Sequence, residues 1–252
     1  MVLLALAACG SHIQTSSGAD YLARYDAPSK SAQKSGTDGL SNLDAEIRDI
    51  ANIEPNLQFP ARIGLARIEY GRLVGLPGDD GQVFSELVAD LGPEFGSFVP
   101  VSPLIAAMVD DTPAPQKRGV YQQQNGTQEV IADIRRGAAR QHLDYVLIYE
   151  VGSARAEKAN GLALSDLTII GMFVLPSRDI EIEATASAIL VDVRNGYPYA
   201  TLTGFAEKDG MARPVSAVSK TRSLSEEAEL RAVEHLAEEA EAALRGLAEA
   251  AE

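Results

Sequence analysis

The sequence predicts an α/β domain, with a mixed sheet of five or six strands, helices packed on it and a C-terminal amphipathic helix. Residues 143–151 form a nearly continuous apolar run, which is typical of a central strand covered on both faces. Residues 180–188 alternate strictly between apolar and polar side chains, which indicates a half-buried strand. Residues 223–252 repeat apolar side chains at helical steps. Together, strands and helices of these lengths favour a layered α/β fold.

The first half of this domain is predicted as short elements. Residues 61–68 alternate weakly, and Pro60 fits the start of a strand. A turn rich in glycine then leads into a helix over residues 80–91, followed by a strand over 97–101. Ser102-Pro103 begins another helix, because proline suits the first helical position. The polar residues 110–126 predict a loop.

The second half of the domain carries longer elements. Residues 127–142 predict a helix with basic side chains at its C-terminal end, where cations suit the helix dipole. Further strands are expected at 143–151, 162–175 and 180–194. Asn195-Gly196 favours a type I′ turn, so residues 184–194 and 197–206 should form a hairpin. The last helix is predicted to start at Ser223, with Glu226 completing a capping box.

Charge and composition exclude several classes of function. The formal net charge is −14, which argues against nucleic-acid binding and against adsorption to anionic lipid through a basic face. Half of that charge falls in residues 223–252, which are interpreted as a solvated outer face rather than a site for a partner. A single cysteine, Cys9, excludes an internal disulfide and a cysteine zinc cage. No cofactor is predicted.

The most specific local signal lies at the N-terminus. Residues 2–8 are all apolar, and Leu6-Ala7-Ala8-Cys9-Gly10 resembles the bacterial lipobox. In lipoproteins of that type the cysteine sulfur carries a diacylglycerol, the leader is removed before the cysteine, and the new amine is acylated. Cys9 is therefore the predicted lipidation site. Residues 1–8 are expected to be the remainder of a signal peptide, since no basic residues precede the apolar run.

The organisation predicted from these signals has three parts. Residues 1–8 are the truncated signal peptide, residues 9–56 are a lipidated tether, and residues 57–252 are a single α/β domain. The tether is rich in serine, glycine and threonine, with a small anchor at Asp20-Tyr21-Leu22. Residues 40–53 place apolar side chains at helical spacing and predict a short amphipathic helix or a docking segment within it.

Several stretches of the chain resemble rhombotarget lipoproteins, a family of bacterial envelope proteins. The matching stretches are the lipobox and residues 16–22, 59–66, 143–149, 167–176 and 184–193. The order of a helix, Asp144-Tyr145-Val146-Leu147 and an antiparallel strand run is also similar to curli-secretion-type lipoproteins and to the N-terminal domain of TolB. Those resemblances imply a small α/β sheet domain, and they supply no catalytic residues.

Candidates for chemistry are few. His12 lies in the predicted tether, His142 is expected to cap a helix, and His235 is expected at the surface. Asp79-Asp80 and Asp110-Asp111 are interpreted as solvated turns, because the calcium-loop spacing is missing. His235 and Glu239 share one helical face, which is a weak metal site. Asp166 interrupts an apolar strand without an identifiable partner. No metal site is predicted.

The sequence therefore predicts a non-catalytic lipoprotein. It is expected at the outer membrane, because Gly10 rather than Asp follows Cys9, as in enterobacterial sorting; a periplasmic location is the alternative. The domain should face the periplasm and have a partner-binding or envelope-assembly role, with a protein in the envelope as the expected partner. A second hypothesis is that the protein is a subunit of a curli-exporter-like assembly that inserts residues 162–175 and 180–193 into the bilayer. An unrecognised hydrolase using Asp166 or His142 is a third. The oligomeric state is left open.

Overall fold

The computed structural model describes residues 11–25, 38–108, 123–159, 178–213 and 216–251. The strands in these residues are His12–Ile13 (β1), Ala61–Glu69 (β2), Arg72–Val74 (β3), Gly96–Pro100 (β4), Tyr145–Ala159 (β5), Arg178–Asp192 (β6) and Pro198–Ala212 (β7). The helices are Gly18–Tyr25 (α1), Asp38–Ala51 (α2), Gly78–Leu91 (α3), Pro103–Ala107 (α4), Gln123–Arg140 (α5) and Ala217–Ala251 (α6).

All seven described strands belong to one mixed sheet, so the predicted α/β class is confirmed. The strand order is β1-β7-β6-β5-β2-β3, and β4 pairs with β2 outside that path. β2 runs parallel to β4 and β5, whereas the remaining pairs are antiparallel. The outer edge of β2 is shared: β4 pairs with Ala61–Leu65 and β3 pairs with Arg67–Glu69.

Helices α3 and α6 cover one face of the sheet. The larger core cluster lies there, with Phe84 and Leu87 from α3 and Leu236 and Leu247 from α6 all buried. Helix α6 approaches β7 closely at Gly204, where a Cβ atom would lie 2.3 Å from the carbonyl oxygen of Ala232. The absence of a side chain at Gly204 therefore lets α6 lie directly on the sheet.

Helices α4 and α5 cover the other face, but only at one end. Ile134 and Ala138 of α5 are fully buried against Val146 and Ile148 of β5. Because Tyr145–Tyr149 are buried on both faces of β5, the prediction of a central, doubly covered strand at 143–151 is confirmed.

The other end of the sheet is covered on one face only. β5, β6 and β7 are each 15 residues long, whereas β2 has nine, so the three longer strands extend past it. Ile180, Ile182, Ala184 and Ala186 point under α6 and are buried, while their polar neighbours Glu181 and Glu183 are exposed. The predicted period-two strand is therefore confirmed.

The hairpin between β6 and β7 forms as predicted, but the type I′ turn is wrong. That turn needs positive φ at both central residues, and only Gly196 has it, at 83°. Instead, the Asp192 carboxylate accepts hydrogen bonds from the backbone N–H groups of Arg194, at 2.7 Å, and Asn195, at 3.3 Å. The Asp192 side chain thereby fixes a longer loop over residues 193–196, which closes with Asp192 N donating to Tyr197 O.

The last helix starts earlier than predicted, and the capping box at Ser223 and Glu226 is wrong. Helix α6 begins at Ala217, so Ser223 lies inside it and bonds Glu227 instead, with 3.2 Å between the side-chain oxygens. The buried side of the helix continues upstream to Ala217 and Thr221. Packing on β7 thus overrides the local start signal.

Two further predictions concern the segments expected to insert into the bilayer, at residues 162–175 and 180–193, and the loop at residues 110–126. The apolar side of residues 180–193 packs under α6, so it is not free to contact a bilayer. Residues 162–175, which include Asp166, lie outside the described residues. Residues 123–126, predicted as loop, begin α5, and the rest of that loop with Asp110-Asp111 is outside the described residues. Within the described part of the chain, no helix combines the length and apolar character needed to cross a membrane.

Candidate functional site

The predicted lipidation residue, Cys9, lies outside the described residues, so its acylation stays a prediction. What the structure does describe is the chain that follows it. Residues 11–18, called here the anchor-proximal segment, contain β1 and the start of α1. The sequence suggests a flexible tether at this point, and the structure instead bonds the segment to the sheet at successive residues.

Hydrogen bonds begin at the first described residue. The Ser11 hydroxyl donates to the Glu239 carboxylate on α6. His12 and Ile13 then pair with Thr201 and Ala200 of β7 in an antiparallel ladder. These contacts place β1 at the edge of the sheet, beside the C-terminal half of α6.

The ladder continues through the next residues. The backbone N–H of Gln14 donates to the Tyr199 carbonyl at 2.8 Å, and the Tyr197 hydroxyl donates to the Ser16 carbonyl at 2.7 Å. The Ser17 hydroxyl donates to a Glu54 carboxylate oxygen at 2.9 Å. Consequently the segment is held by side chains as well as by backbone.

Gly18 completes the attachment. Its N–H donates to the Ile53 carbonyl at 3.2 Å, and a Cβ atom at Gly18 would lie 2.2 Å from the Ala51 carbonyl oxygen. Only glycine therefore allows the start of α1 to approach the end of α2 this closely. The short helix predicted over residues 40–53 is confirmed as α2, and its apolar Leu43 and Ile50 are exposed.

Two buried tyrosines tie the following stretch to the sheet. The backbone N–H of Asn56 donates to the Tyr199 hydroxyl at 2.8 Å, and that of Gln58 donates to the Tyr145 hydroxyl at 2.7 Å. Burial raises the pKa of both phenols, which keeps them protonated in the folded protein. The chain before β2 is thus bonded to strands β5 and β7.

Inside the domain, Asp80, Arg67 and Tyr149 form a buried polar cluster. Asp80, in the first turn of α3, accepts a hydrogen bond from the Tyr149 hydroxyl at 2.6 Å and an ion-pair contact from Arg67 at 2.7 Å. Burial, and then the Asp80 charge, raise the pKa of Tyr149 well above its ordinary value. Burial lowers the pKa of Arg67, but the hydrogen bond and charge of Asp80 outweigh it and raise that pKa overall.

The interpretation of Asp79-Asp80 as a solvated turn is therefore wrong for Asp80, which is 4% exposed, and right for the exposed Asp79. Asp80 is buried because its charge meets Arg67 and Tyr149 on the neighbouring strands β2 and β5. The sequence carries no signal for that meeting, since these residues come together only when β2 and β5 pair. The cluster joins α3 to the sheet.

His142 takes the capping role predicted for it. It follows α5 with a φ of 56°, and its N–H donates to the Ala139 carbonyl while the Leu143 N–H donates to the Ala138 carbonyl. These two bonds are the Schellman pattern that ends many helices. The exposed imidazole is not needed for the contacts, and Asp144 is used elsewhere, accepting from the Arg62 N–H at 2.9 Å.

His235 is half-buried rather than free at the surface. Its Nδ1 donates to the Phe205 carbonyl of β7 at 2.6 Å, whereas Glu239, one turn further on, binds Ser11. His235 and Glu239 therefore bind different partners, and they do not form the weak metal-binding pair that their sequence spacing allows. Across the residues that the structure describes, no three His, Cys, Asp or Glu side chains are placed to hold a metal ion.

Several surface depressions have the volume of a small-molecule site, among them one of about 520 Å³ between the end of β7 and the start of α6 and two that lie elsewhere. One, of about 580 Å³, lies between the end of α6 and the Phe59–Phe95 ring pair, whose centroids are 5.4 Å apart. The other, of about 510 Å³, lies on the uncovered end of the sheet and is lined by Asp179, Glu181 and Asp209 among others. Neither contains residues of the Arg67, Asp80 and Tyr149 cluster.

No family model matches this chain, and no curated protein matches it either. The resemblance to rhombotarget lipoproteins therefore stays a prediction. Among solved structures, the chain is similar to a dodecamer of a PelC variant from Paraburkholderia phytofirmans. The identity is 13% and the TM-score 0.28, over 71% of this chain and 93% of that one.

Two other solved structures are similar to the chain. Lipoprotein GNA1162 from Neisseria meningitidis is 18% identical with a TM-score of 0.29, over 66% of this chain and 100% of that one. The hypothetical protein CT253 from Chlamydia trachomatis is 10% identical with a TM-score of 0.30, over 73% and 97%. At these identities and TM-scores, the likenesses carry no argument about what this chain does.

Proposed function

We propose that this protein is a non-catalytic bacterial lipoprotein, acylated at Cys9, held at the outer membrane and facing the periplasm. Its α/β domain binds a protein partner in the envelope. The observation that carries the proposal is the position of the chain's single cysteine within Leu6-Ala7-Ala8-Cys9-Gly10. A thiol after small residues is what diacylglycerol transfer and leader removal require, and several acyl chains together form a stable anchor.

In the described residues, the polar side chains that could take part in catalysis make structural contacts instead. Asp80 is engaged with Arg67 and Tyr149, and His235 is engaged with a backbone carbonyl. A hydrolytic site of the serine type needs a nucleophile within reach of a histidine that a third group orients. In the described residues these histidine and carboxylate contacts fix helices to the sheet, which is a structural use of the same groups.

Metabolic labelling with a clickable fatty acid tests the anchor. The wild-type protein should take up the label, and Cys9→Ser should take up none, because the chain has no other cysteine. Ser11→Ala is the matched control, since it changes a hydroxyl near the lipobox and leaves the thiol. An unlabelled wild type, or equal labelling of Cys9→Ser, contradicts the proposal.

Membrane fractionation on a density gradient tests the location. The wild-type protein is expected in the outer-membrane fraction of an enterobacterial host. Gly10→Asp should move it to the inner-membrane fraction, because the residue after the cysteine directs sorting there. Recovery of the labelled wild-type protein in the inner-membrane fraction would overturn the outer-membrane assignment while leaving acylation intact.

A further inference from the structure

The anchor-proximal segment leaves almost no free chain between the proposed lipid and the folded domain. Only Gly10 separates Cys9 from Ser11, whose hydroxyl binds Glu239. Two residue steps span at most about 7 Å, even in a fully extended chain. The backbone of Cys9, the residue that carries the acyl chains, therefore lies within about 7 Å of the Ser11 backbone, whatever path the chain takes.

A flexible tether over residues 9–56 would behave very differently. A random coil of that length has a root-mean-square end-to-end distance of about 40 Å. That reach would let the domain tumble and sample partners far from the bilayer. The observed bonds at Ser11, Gln14 and Gly18 remove this freedom, since each fixes the segment to α6, β7 or the chain after α2.

We propose that the domain sits edge-on against the lipid surface, with β1 and the C-terminal half of α6 facing the headgroups. This inference rests on the proposed acylation of Cys9. Ala242, one turn along α6 from Glu239, is exposed and lies on this side. Tyr70, in the turn after β2, is 97% exposed and belongs to the opposite edge of the sheet.

The separation of the two edges makes the orientation measurable. Five strand spacings lie between β1 and β3 in the sheet order, which corresponds to about 24 Å. A label on the β1 side therefore meets headgroups that a label at Tyr70 does not reach. The net charge of the chain is −14, so contact with zwitterionic lipid is favoured over contact with anionic lipid.

Contact quenching on the intact, lipidated protein tests the orientation. Ala242→Cys and Tyr70→Cys are each labelled with bimane, which spares Cys9 because its sulfur is a thioether once acylated. The proteins are inserted into phosphatidylcholine vesicles containing a lipid with a nitroxide on its headgroup. Quenching is expected to be several-fold stronger at position 242 than at position 70. Equal quenching in protein whose acylation is verified by mass spectrometry overturns the edge-on arrangement.

Further variants test whether the attachment of the anchor-proximal segment causes the difference in quenching between positions 242 and 70. Gln14→Pro removes the N–H that donates to Tyr199, and combining it with Glu239→Ala removes the acceptor of Ser11. This double variant should bring the two labels to equal quenching, whereas Gln14→Ala, which keeps the N–H, should preserve the difference. A difference that survives in the double variant contradicts the inference. A mass spectrum without diacylglycerol on Cys9 removes the proposed function itself, and the two failures are thus distinguished.

Discussion

The two ends of the sheet are built differently. Around Tyr145–Tyr149 the central strand is buried on both faces, beneath α3 and α6 on one side and α4 and α5 on the other. Further along β5, β6 and β7, α6 covers one face, and the other presents Glu183, Phe205 and Glu207 to solvent. The first end is held together by core packing and a buried ion pair, while the second depends on one long helix.

This difference in coverage determines the hydrophobic pattern of each strand. A doubly covered strand is apolar at successive positions, and a strand covered once alternates, so both patterns are visible in the sequence. The contrast also separates the expected costs of substitution. Changes in the doubly covered end should remove buried interactions, while changes on the uncovered face should alter only surface electrostatics.

The largest effect is expected from Asp80→Ala. It leaves the buried Arg67 without its carboxylate, which should lower the free energy of unfolding by about 3–5 kcal/mol. Asp79→Ala is the control, because this neighbour is exposed and contributes only to the helix dipole, at about 0.3–1 kcal/mol. Urea unfolding measures both. A similar small loss for the two variants would show that the buried pair adds little to the doubly covered end.

Gly204→Ala should destabilise the singly covered end by about 1–3 kcal/mol, because the new Cβ overlaps the backbone of α6. Gly152→Ala is the matched control on β5, two strands away from β7, since a Cβ there has no atom within 4 Å. That control should change the free energy of unfolding by no more than about 0.5 kcal/mol. Equal losses at the two glycines would mean that α6 does not lie directly on β7.

Tyr149→Phe removes the hydrogen bond to Asp80 and should cost about 1.5–3 kcal/mol at neutral pH. Because the pKa of Tyr149 is raised in the folded state, the unfolded state loses this proton first as pH rises above about 10. The contribution of Tyr149 to stability is therefore complete below that pH and falls by about 1.4 kcal/mol per pH unit above it. Urea unfolding at pH 9 to 11.5 should show wild type and Tyr149→Phe converging. Parallel curves would contradict a raised pKa.

The smallest effect is expected on the uncovered face. Glu183 lies directly opposite Glu207 in the β6–β7 ladder, and like charges in that position repel. Glu183→Lys should therefore raise the free energy of unfolding by about 0.2–1 kcal/mol, and the gain should shrink in high salt. The double variant with Glu207→Lys restores a like-charge pair and should lose the gain. A gain in the double variant would indicate that another surface charge is responsible.

Much of the fold could be predicted from local pattern, and the contacts that define the candidate sites could not. The central strand, the β6–β7 hairpin and α5 have their own periodicity. β1 has two residues and no periodicity, so its existence depends wholly on its pairing with β7. Asp80 likewise looks like any acidic turn residue until β2 and β5 bring Arg67 and Tyr149 to it.

The shared edge of β2 has a consequence for aggregation. Exposed edge strands can template the addition of a further chain, and short ones do so poorly. β3 and β4 divide the edge of β2 into ladders of three and five residues, and they run in opposite directions. An incoming strand could match one of these directions only for a short stretch. Within the described residues, this edge of the sheet is thereby protected against aggregation by repeated strand addition.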